Sequence, residues 1–300
     1  MSSVPRVVLA TREPGMRALL ARHGTRQQAA FFLAGRGRDL GDVERADTAV
    51  ADAVSVVSAA LPAEWRRVVV WRDDLARFLF APDDIVVVVG QDGLVANVAK
   101  YLDGQPVVGV DPAPGTNPGV LVRHRAANAG RLLRRVAAGT APIEHRTMVR
   151  CSLDDGQHLD ALNEIYLGHP SHQSARYTLR TDAGTVERHS SSGVLVGTGT
   201  GATGWCRSVW AERRSRLRLP EPTACGLAWF VREAWPSPTT GTDLTEGLLE
   251  PGASIELTAE SDLVAFGDGI EADRLTQSWG QTARLSVSPR QLALVGGPRT

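Results

Sequence analysis

The turn Gly90-Gln91-Asp92-Gly93 closes an apolar run, Ile85 to Val89, and opens a segment of helical composition. Backbone N–H groups of such a turn and of the helix start converge on one point, and the helix dipole favours an anion there, so the arrangement suits a phosphate. Asp92 complicates that chemistry. A carboxylate is a poor neighbour for phosphate unless it binds magnesium or takes a proton from an attacking hydroxyl. Its alternative use is as a helix N-cap, which aspartate performs well. Farther on, Gly199-Thr-Gly-Ala-Thr-Gly204 follows the apolar run Val194 to Val196 and matches the G-x-G-x-x-G spacing of dinucleotide-binding turns. That reading requires a second parallel strand and an acidic residue about twenty positions on. Arg213-Arg-Ser-Arg-Leu-Arg218, Pro220 and Pro222 stand there instead, with Glu221 loosely placed. What remains is a donor-rich turn around Thr200 and Thr203 suited to a ligand. His169-Pro-Ser-His172 has the spacing of a loop metal pair without a third ligand nearby, and reads as a polar loop or as surface histidines.

The elements that position these residues follow from periodicity. Val7 to Ala10, Arg67 to Trp71, Ile85 to Val89 and Val107 to Val110 read as strands, the third apolar throughout as a strand covered on both faces must be. Between them Asp42 to Ala60 carries apolar residues at helical spacing, Asp73 to Leu79 reads as a short helix, and further helices follow Gly93 and span Asn128 to Ala138. This is an open parallel α/β sheet, whose ligands sit at the carboxyl ends of the strands. After Gly139 to Pro142 the pattern changes to alternating segments (Arg146 to Leu153, Ala175 to Arg180, Arg284 to Val287) separated by Asp-Gly and Asp-Ala-Gly turns, as in antiparallel hairpins. Two domains are expected, an α/β domain over 1–140 and a β-rich, sandwich-like domain over 141–300.

Composition narrows the chemistry. The chain has 300 residues with 33 basic and 33 acidic side chains, and Lys100 is the sole lysine. A P-loop needs Gly-Lys-Ser/Thr, and Lys100 stands in no such context; on the helix after the Gly90 to Gly93 turn it is expected to face solvent. A net charge of zero with a pI near 7.1 argues against nucleic acid as the main partner. The first apolar run is broken by Arg12 and Glu13, and no stretch approaches a membrane span, so a cytoplasmic protein without membrane partners is expected. Cys151, Cys206 and Cys225 are too few and too widely spaced for a disulfide framework or a four-cysteine zinc site.

The order of the weak signals carries more information than any one of them. Gly90-Gln-Asp-Gly93, Pro106-Val-Val-Gly-Val110, Asn117-Pro-Gly119, Ala161-Leu-Asn-Glu164 and Gly193-Val-Leu-Val-Gly-Thr-Gly-Thr-Gly-Ala-Thr-Gly-Trp205 resemble the successive motifs of the NAD kinase family. The resemblance is clear from Ile85 to Ser208, and Asp268-Gly269 fits it more loosely. It implies transfer of the ATP γ-phosphoryl group to the 2′-hydroxyl of the adenosine ribose of NAD, giving NADP. Mg²⁺ would arrive on ATP rather than on direct protein ligands. It further implies an α/β domain and a β-rich domain with the site in the cleft between them, in a homo-oligomer. Under it Asp92 matches the family's catalytic Asp, and Gly90, Gln91 and Gly93 its phosphate-binding turn. Asn163 and Glu164 match the pair at the adenosine moiety. Thr200, Gly201, Thr203, Gly204, Trp205 and Ser208 fall in the turn that contacts the adenine and the nicotinamide half.

Departures from the family pattern bear on the activity. Gln91 replaces the second glycine of Gly-Gly-Asp-Gly, so either the backbone there does not need a positive φ or the loop has changed shape. Ser192 stands where the family commonly has an Asp associated with the nicotinamide side. Asp111 to Pro118 is proline-rich where the family has a compact Asn-Thr-Gly. The alternatives to an NAD kinase are a non-catalytic nucleotide-binding paralogue of the fold and a kinase of another adenosine-containing acceptor. A dehydrogenase built on Gly199 to Gly204, or a lipid kinase sharing Gly-x-Asp-Gly, fits the ordered motifs less well.

Overall fold

The computed structural model describes residues 4–116 and 119–297; Asn117 and Pro118 of the Asn-Pro-Gly motif lie outside the described residues. The chain forms two compact units, one of residues 1–144 with 293–300 and one of residues 145–292. The first strand to leave the N-terminal unit and the last strand to return to it are therefore shared by sequence between the two.

The N-terminal unit contains, in order, β1 (Arg6–Thr11), α1 (Gly15–His23), α2 (Arg26–Ala34), α3 (Leu40–Ala59), β2 (Arg66–Trp71), β3 (Ile85–Val89), α4 (Asp92–Ala99), β4 (Pro106–Asp111), β5 (His124–Arg125) and α5 (Ala129–Ala137). Strands β2, β1, β3 and β4 pair side by side and parallel. Val86 to Val89 are fully buried, and Val7, Leu9, Val87, Val89 and Val108 share a core with Ala53 and Val57 of α3 and with Leu133 of α5. Burying each such side chain contributes about 1.5–3 kcal/mol, which fixes β3 in the middle of the sheet. Two sequence expectations differ from the structure, and one stretch without an assignment gains helices. Asp73 to Leu79 is a 3₁₀ turn over Arg72–Arg77 rather than a regular helix. The segment before Asp42 carries two additional helices, α1 and α2, whose apolar faces are too short and too exposed to stand out in the sequence. Lys100 is 8% exposed rather than solvent-facing, because α4 is buried on all sides from Leu94 to Ala99.

The second unit begins in β6 (Ile143–Leu153) and continues through β7 (His158–Ala161), β8 (Glu164–Gly168), β9 (Ala175–Thr181), β10 (Val186–Ser191), β11 (Gly193–Thr198), α6 (Trp205–Glu212), β12 (Leu227–Arg232), β13 (Glu246–Leu249), β14 (Ser254–Ala259), β15 (Leu263–Gly267), β16 (Ile270–Gln277) and β17 (Thr282–Val295). One sheet runs β10-β9-β14-β17 and the other β13-β12-β11-β8-β15-β16. Inward residues of both, among them Tyr177, Leu179, Ile255 and Leu285 from the first and Ile165, Val194, Val196 and Trp229 from the second, form one core, the arrangement of a β-sandwich. The expected turns close hairpins: Gly156, Gly184 and Gly269 all have positive φ, which only glycine adopts freely. The last strand leaves this unit and pairs parallel with β4 through Ala293 and Leu294. Among the described residues no helix is long and apolar enough to cross a membrane.

Candidate functional site

In the N-terminal unit the Gly90 to Gly93 turn stands at the carboxyl end of β3, where the fully buried strand hands over to α4. Gln91 is the N-cap residue, so Asp92 is not the cap but the first helical residue. Its carboxylate reaches a distant segment. Oδ2 accepts from Val120 N at 2.7 Å, and Oδ1 accepts from Leu121 N at 2.8 Å and Val122 N at 2.9 Å. The segment comes this close because β4 has no side chain at Gly109, where a Cβ would stand 2.2 Å from the Leu121 carbonyl oxygen. A carboxylate offers about four lone-pair sites, so Asp92 keeps about one for a further donor.

Two arginines that the sequence reading did not single out stand beside this turn. Arg12 follows β1 and Arg72 follows β2, both at carboxyl ends of parallel strands. The Arg12 guanidinium lies over Gly93, with Nη2 3.7 Å from where a Cβ would be. Partial burial and then the nearby Arg72 charge lower the Arg12 pKa, with Asp73 acting in the opposite sense. Arg72 is oriented by a 2.7 Å bond from Nε to Oδ1 of Asn97, a buried residue of α4. Arg12 at the helix N-terminus, with the Arg72 charge near enough to lower its pKa, gives the carboxyl edge of the parallel sheet an excess of positive charge suited to an anion. The signal in sequence was only position, one arginine just past each of two predicted strands.

The second unit brings together Asn163, Glu164 and the Thr200 to Ser208 turn. Asp268, at φ 54° in the β15–β16 turn, accepts from Leu162 N at 2.9 Å, Asn163 N at 2.7 Å and Glu164 N at 3.4 Å. Thr198 at the end of β11 ties the same segment to the following turn. Its Oγ1 donates to the Leu162 carbonyl at 2.6 Å and accepts from Thr200 N and Gly201 N at 3.1 and 3.2 Å. Gly201 passes so near Asn163 that a Cβ would sit 2.2 Å from the Asn163 carbonyl oxygen and 3.1 Å from Oε2 of Glu164. Burial, and then the Asp268 charge, push the Glu164 carboxyl up to about 8. At neutral pH it is largely protonated and able to donate a hydrogen bond. The buried Thr200 hydroxyl has no hydrogen-bond partner among the described residues. Thr203, Gly204 and Ser208 are exposed, and Trp205, the first residue of α6, stacks on Tyr166 at 5.7 Å with the Arg232 guanidinium 5.5 Å from its ring.

The Gly199 to Gly204 run is not a dinucleotide fingerprint. Strand β11 pairs antiparallel with both β8 and β12, so no second parallel strand exists beside it. Gly199 is required for another reason, since a Cβ there would lie 1.8 Å from the Glu221 carbonyl oxygen. His169 Nδ1 accepts from Ser171 N at 3.1 Å, and among the described residues no group of three or more His, Cys, Asp or Glu could hold a metal ion.

No family model matches the chain. The NAD kinase of Clostridium tetani is 30% identical over 132 residues, 42% of this chain and 47% of the relative. That of Methanoregula boonei is 33% identical over 131 residues, 42% of this chain and 46% of the relative. That of Cutibacterium acnes is 25% identical over 249 residues, covering 77% of this chain and 73% of the relative. Over these stretches the chain is similar to NAD kinases. It spans about half the length of the first two of these relatives. A crystal structure of an NAD kinase from Archaeoglobus fulgidus in complex with ATP superposes with a TM-score of 0.60 at 17% identity, covering 97% of this chain and 93% of that one, and shows the same fold.

The departures from the family pattern have local explanations. Gln91 has φ −102° and ψ 165°, an extended conformation open to any residue, so the missing glycine introduces no strain. Ser192 is exposed; its N–H donates to the Arg232 carbonyl at 2.9 Å and its carbonyl accepts from the Tyr166 hydroxyl. The backbone at Ser192 is thus held at both ends of the residue, and its exposed side chain carries no carboxylate. The following Gly193 is needed, with φ 119° and a Cβ position 2.5 Å from the Leu167 carbonyl oxygen.

Proposed function

We propose that the chain is an ATP-dependent NAD kinase that transfers the γ-phosphoryl group to the 2′-hydroxyl of the adenosine ribose of NAD. The observation that carries this reading is Asp92: an aspartate at the first turn of a helix, fixed by three amides, with lone-pair capacity left for one hydroxyl. In the reaction Asp92 takes the 2′-hydroxyl proton, the ribose oxygen bonds to the γ-phosphorus, and the bond to the β-phosphate oxygen breaks to release ADP. Phosphoryl transfer asks chiefly for positioning and charge neutralisation. Gly90, Gln91 and Gly93 supply backbone donors, and Arg12 and Arg72 supply the fixed positive charge that a lysine supplies in P-loop enzymes. Mg²⁺ arrives with the substrate, as Mg-ATP, and neutralises the phosphates. Asn163 and protonated Glu164 present a donor-and-acceptor edge to the adenosine, and the Thr200 hydroxyl, Thr203, Gly204, Trp205 and Ser208 line the rest of its contacts. The family also suggests a cytoplasmic homo-oligomer.

Incubation with Mg-ATP and NAD should give NADP detectable by mass spectrometry, and exchange of ATP for polyphosphate, or NAD for NADH, defines donor and acceptor. Absence of any phosphorylated dinucleotide at high enzyme concentration overturns the reading. A second reading is favoured by the same carboxylate, since three amide bonds are also what a purely structural clamp would make: a nucleotide-binding paralogue without transfer. Calorimetric binding of NAD with no product would select it.

A further inference from the structure

We propose that the β-rich unit carries a second ligand site, a pocket for a small ring compound bearing a phosphate, of the nucleoside monophosphate type, built by Arg176, Arg188, Trp235 and the hydroxyl loop 237–240. The cavity measures about 330 Å³, at the small end of the ligand-pocket range. Its floor follows from strand register. Arg176 of β9 stands opposite Ser190 of β10, and Thr178 opposite Arg188, so both arginines project from the same face of the hairpin, while Tyr177 and His189 face the core. Arg188 is paired with Glu260 through Nε and Oε2 at 2.5 Å. The Arg176 guanidinium has no carboxylate or carbonyl partner among the described residues, and the pocket is left with one uncompensated positive charge.

The roof is a preformed loop. Trp235 N donates to the Ser190 carbonyl at 2.8 Å and Gly241 N to the Arg188 carbonyl at 3.0 Å, so both ends of the loop are tied to β10, the strand paired with the one that carries Arg176. Gly241 permits the return, because a Cβ there would lie 1.7 Å from Oε1 of Glu187. Inside the loop the Thr240 hydroxyl donates to the Trp235 carbonyl at 2.8 Å, and Thr239 N donates to the Ser237 hydroxyl at 3.2 Å. Trp235 is held at the rim with its side chain 69% exposed. A rigid loop that displays a bare indole beside an unpaired guanidinium is organised for a ligand with a planar face and an anionic group, since stacking and charge-assisted hydrogen bonding then add with little ordering cost. None of these residues belongs to the proposed transfer site, and the inference stands or falls independently of it.

The test is a fluorescence and calorimetric titration of the full chain with AMP, adenosine, ribose 5-phosphate and inorganic phosphate. AMP should bind more tightly than any of its parts and quench tryptophan emission. The quench should vanish in Trp235→Phe, and Arg176→Gln should weaken AMP tenfold or more, while Asn163→Ala, at the adenosine site of the proposed reaction, should leave this binding unchanged. AMP binding that survives Arg176→Gln but is lost in Asn163→Ala overturns the proposal. So does a pocket that binds none of the probes while Trp235→Ala lowers the oligomer mass in sedimentation, because the indole is then a contact between copies of the chain.

Discussion

Two aspartates do the same physical work at separate places in the chain. Asp92 gathers the N–H groups of Val120, Leu121 and Val122, and Asp268 those of Leu162, Asn163 and Glu164. Charge-assisted bonds of this kind are stronger than neutral ones, and each cluster fixes a backbone segment that a neutral side chain would hold less well. Replacing Asp92 with Asn leaves one carbonyl oxygen for three donors. We expect kcat for NADP formation to fall by at least about a hundredfold, the contribution of a positioned general base. Faster amide exchange at Val120 to Val122 should accompany it. Retained kcat with fast exchange would show Asp92 to be a clamp alone. Arg12→Ala should instead raise KM for ATP by about tenfold or more while leaving KM for NAD near its original value, which steady-state kinetics with each substrate varied will separate. Asp92 was legible in the sequence because its neighbours are contiguous. Asp268 appeared there only as half of a hairpin turn, since its partners lie over a hundred positions upstream and no local pattern announces such a pairing.

At the scale of elements, glycine placement records where backbones meet. Gly109 in β4 admits the 119–122 segment, and Gly199 admits the Glu221–Pro222 segment, with Cβ positions 2.2 and 1.8 Å from carbonyl oxygens. Neither distance can be relieved by rotating a side chain. Gly109→Ala should therefore lower unfolding stability by at least about 1–3 kcal/mol in denaturant titrations, the range for overpacking, and should weaken activity through the displaced Asp92 partners. Gln91→Gly is the opposite case. The extended backbone at this N-cap residue does not need glycine and its side chain makes no cap bond, so the variant should change stability by no more than a few tenths of a kcal/mol and show no rise in NADP formation. Strands and hairpins were readable because period-two alternation and Asp-Gly turns are local signals. Helices α1 and α2 were not, because short exposed helices with scattered apolar residues bury too little to leave a stripe. The parallel return of β17 onto β4 was equally silent, since sequence alternation identifies a strand without naming its neighbour.

For the molecule as a whole, the one lysine among 33 basic residues acquires a structural counterpart: Lys100 is buried at the far end of α4, and the cation beside the turn is an arginine, Arg12. Arginine keeps its charge when partly desolvated, so Arg12 remains a cation across the physiological range even with its pKa lowered. The group whose charge does change is Glu164, with a carboxyl pushed from 4.5 up to about 8 by burial and by Asp268. Between those values the native chain holds a proton that the unfolded chain has released. Native binding of the extra proton means that stability is greatest below about pH 4.5 as far as this group is concerned, and declines as pH rises towards and through 8. The loss amounts to about 2–4 kcal/mol once solvent screening at a partly exposed side chain is allowed for. Glu164→Gln keeps the shape and a hydrogen-bond donor but cannot ionise, so its denaturant midpoint should vary less between pH 5 and pH 8.5 than that of the parent chain, and should exceed it at the alkaline end. The parent's affinity for NAD should decline at alkaline pH and that of Glu164→Gln should not, because its donor does not disappear when a carboxyl would ionise. Parallel stability profiles for the two proteins would mean that water or a counter-ion relieves the Glu164 charge in the native state, and would remove protonated Glu164 from the adenosine contacts.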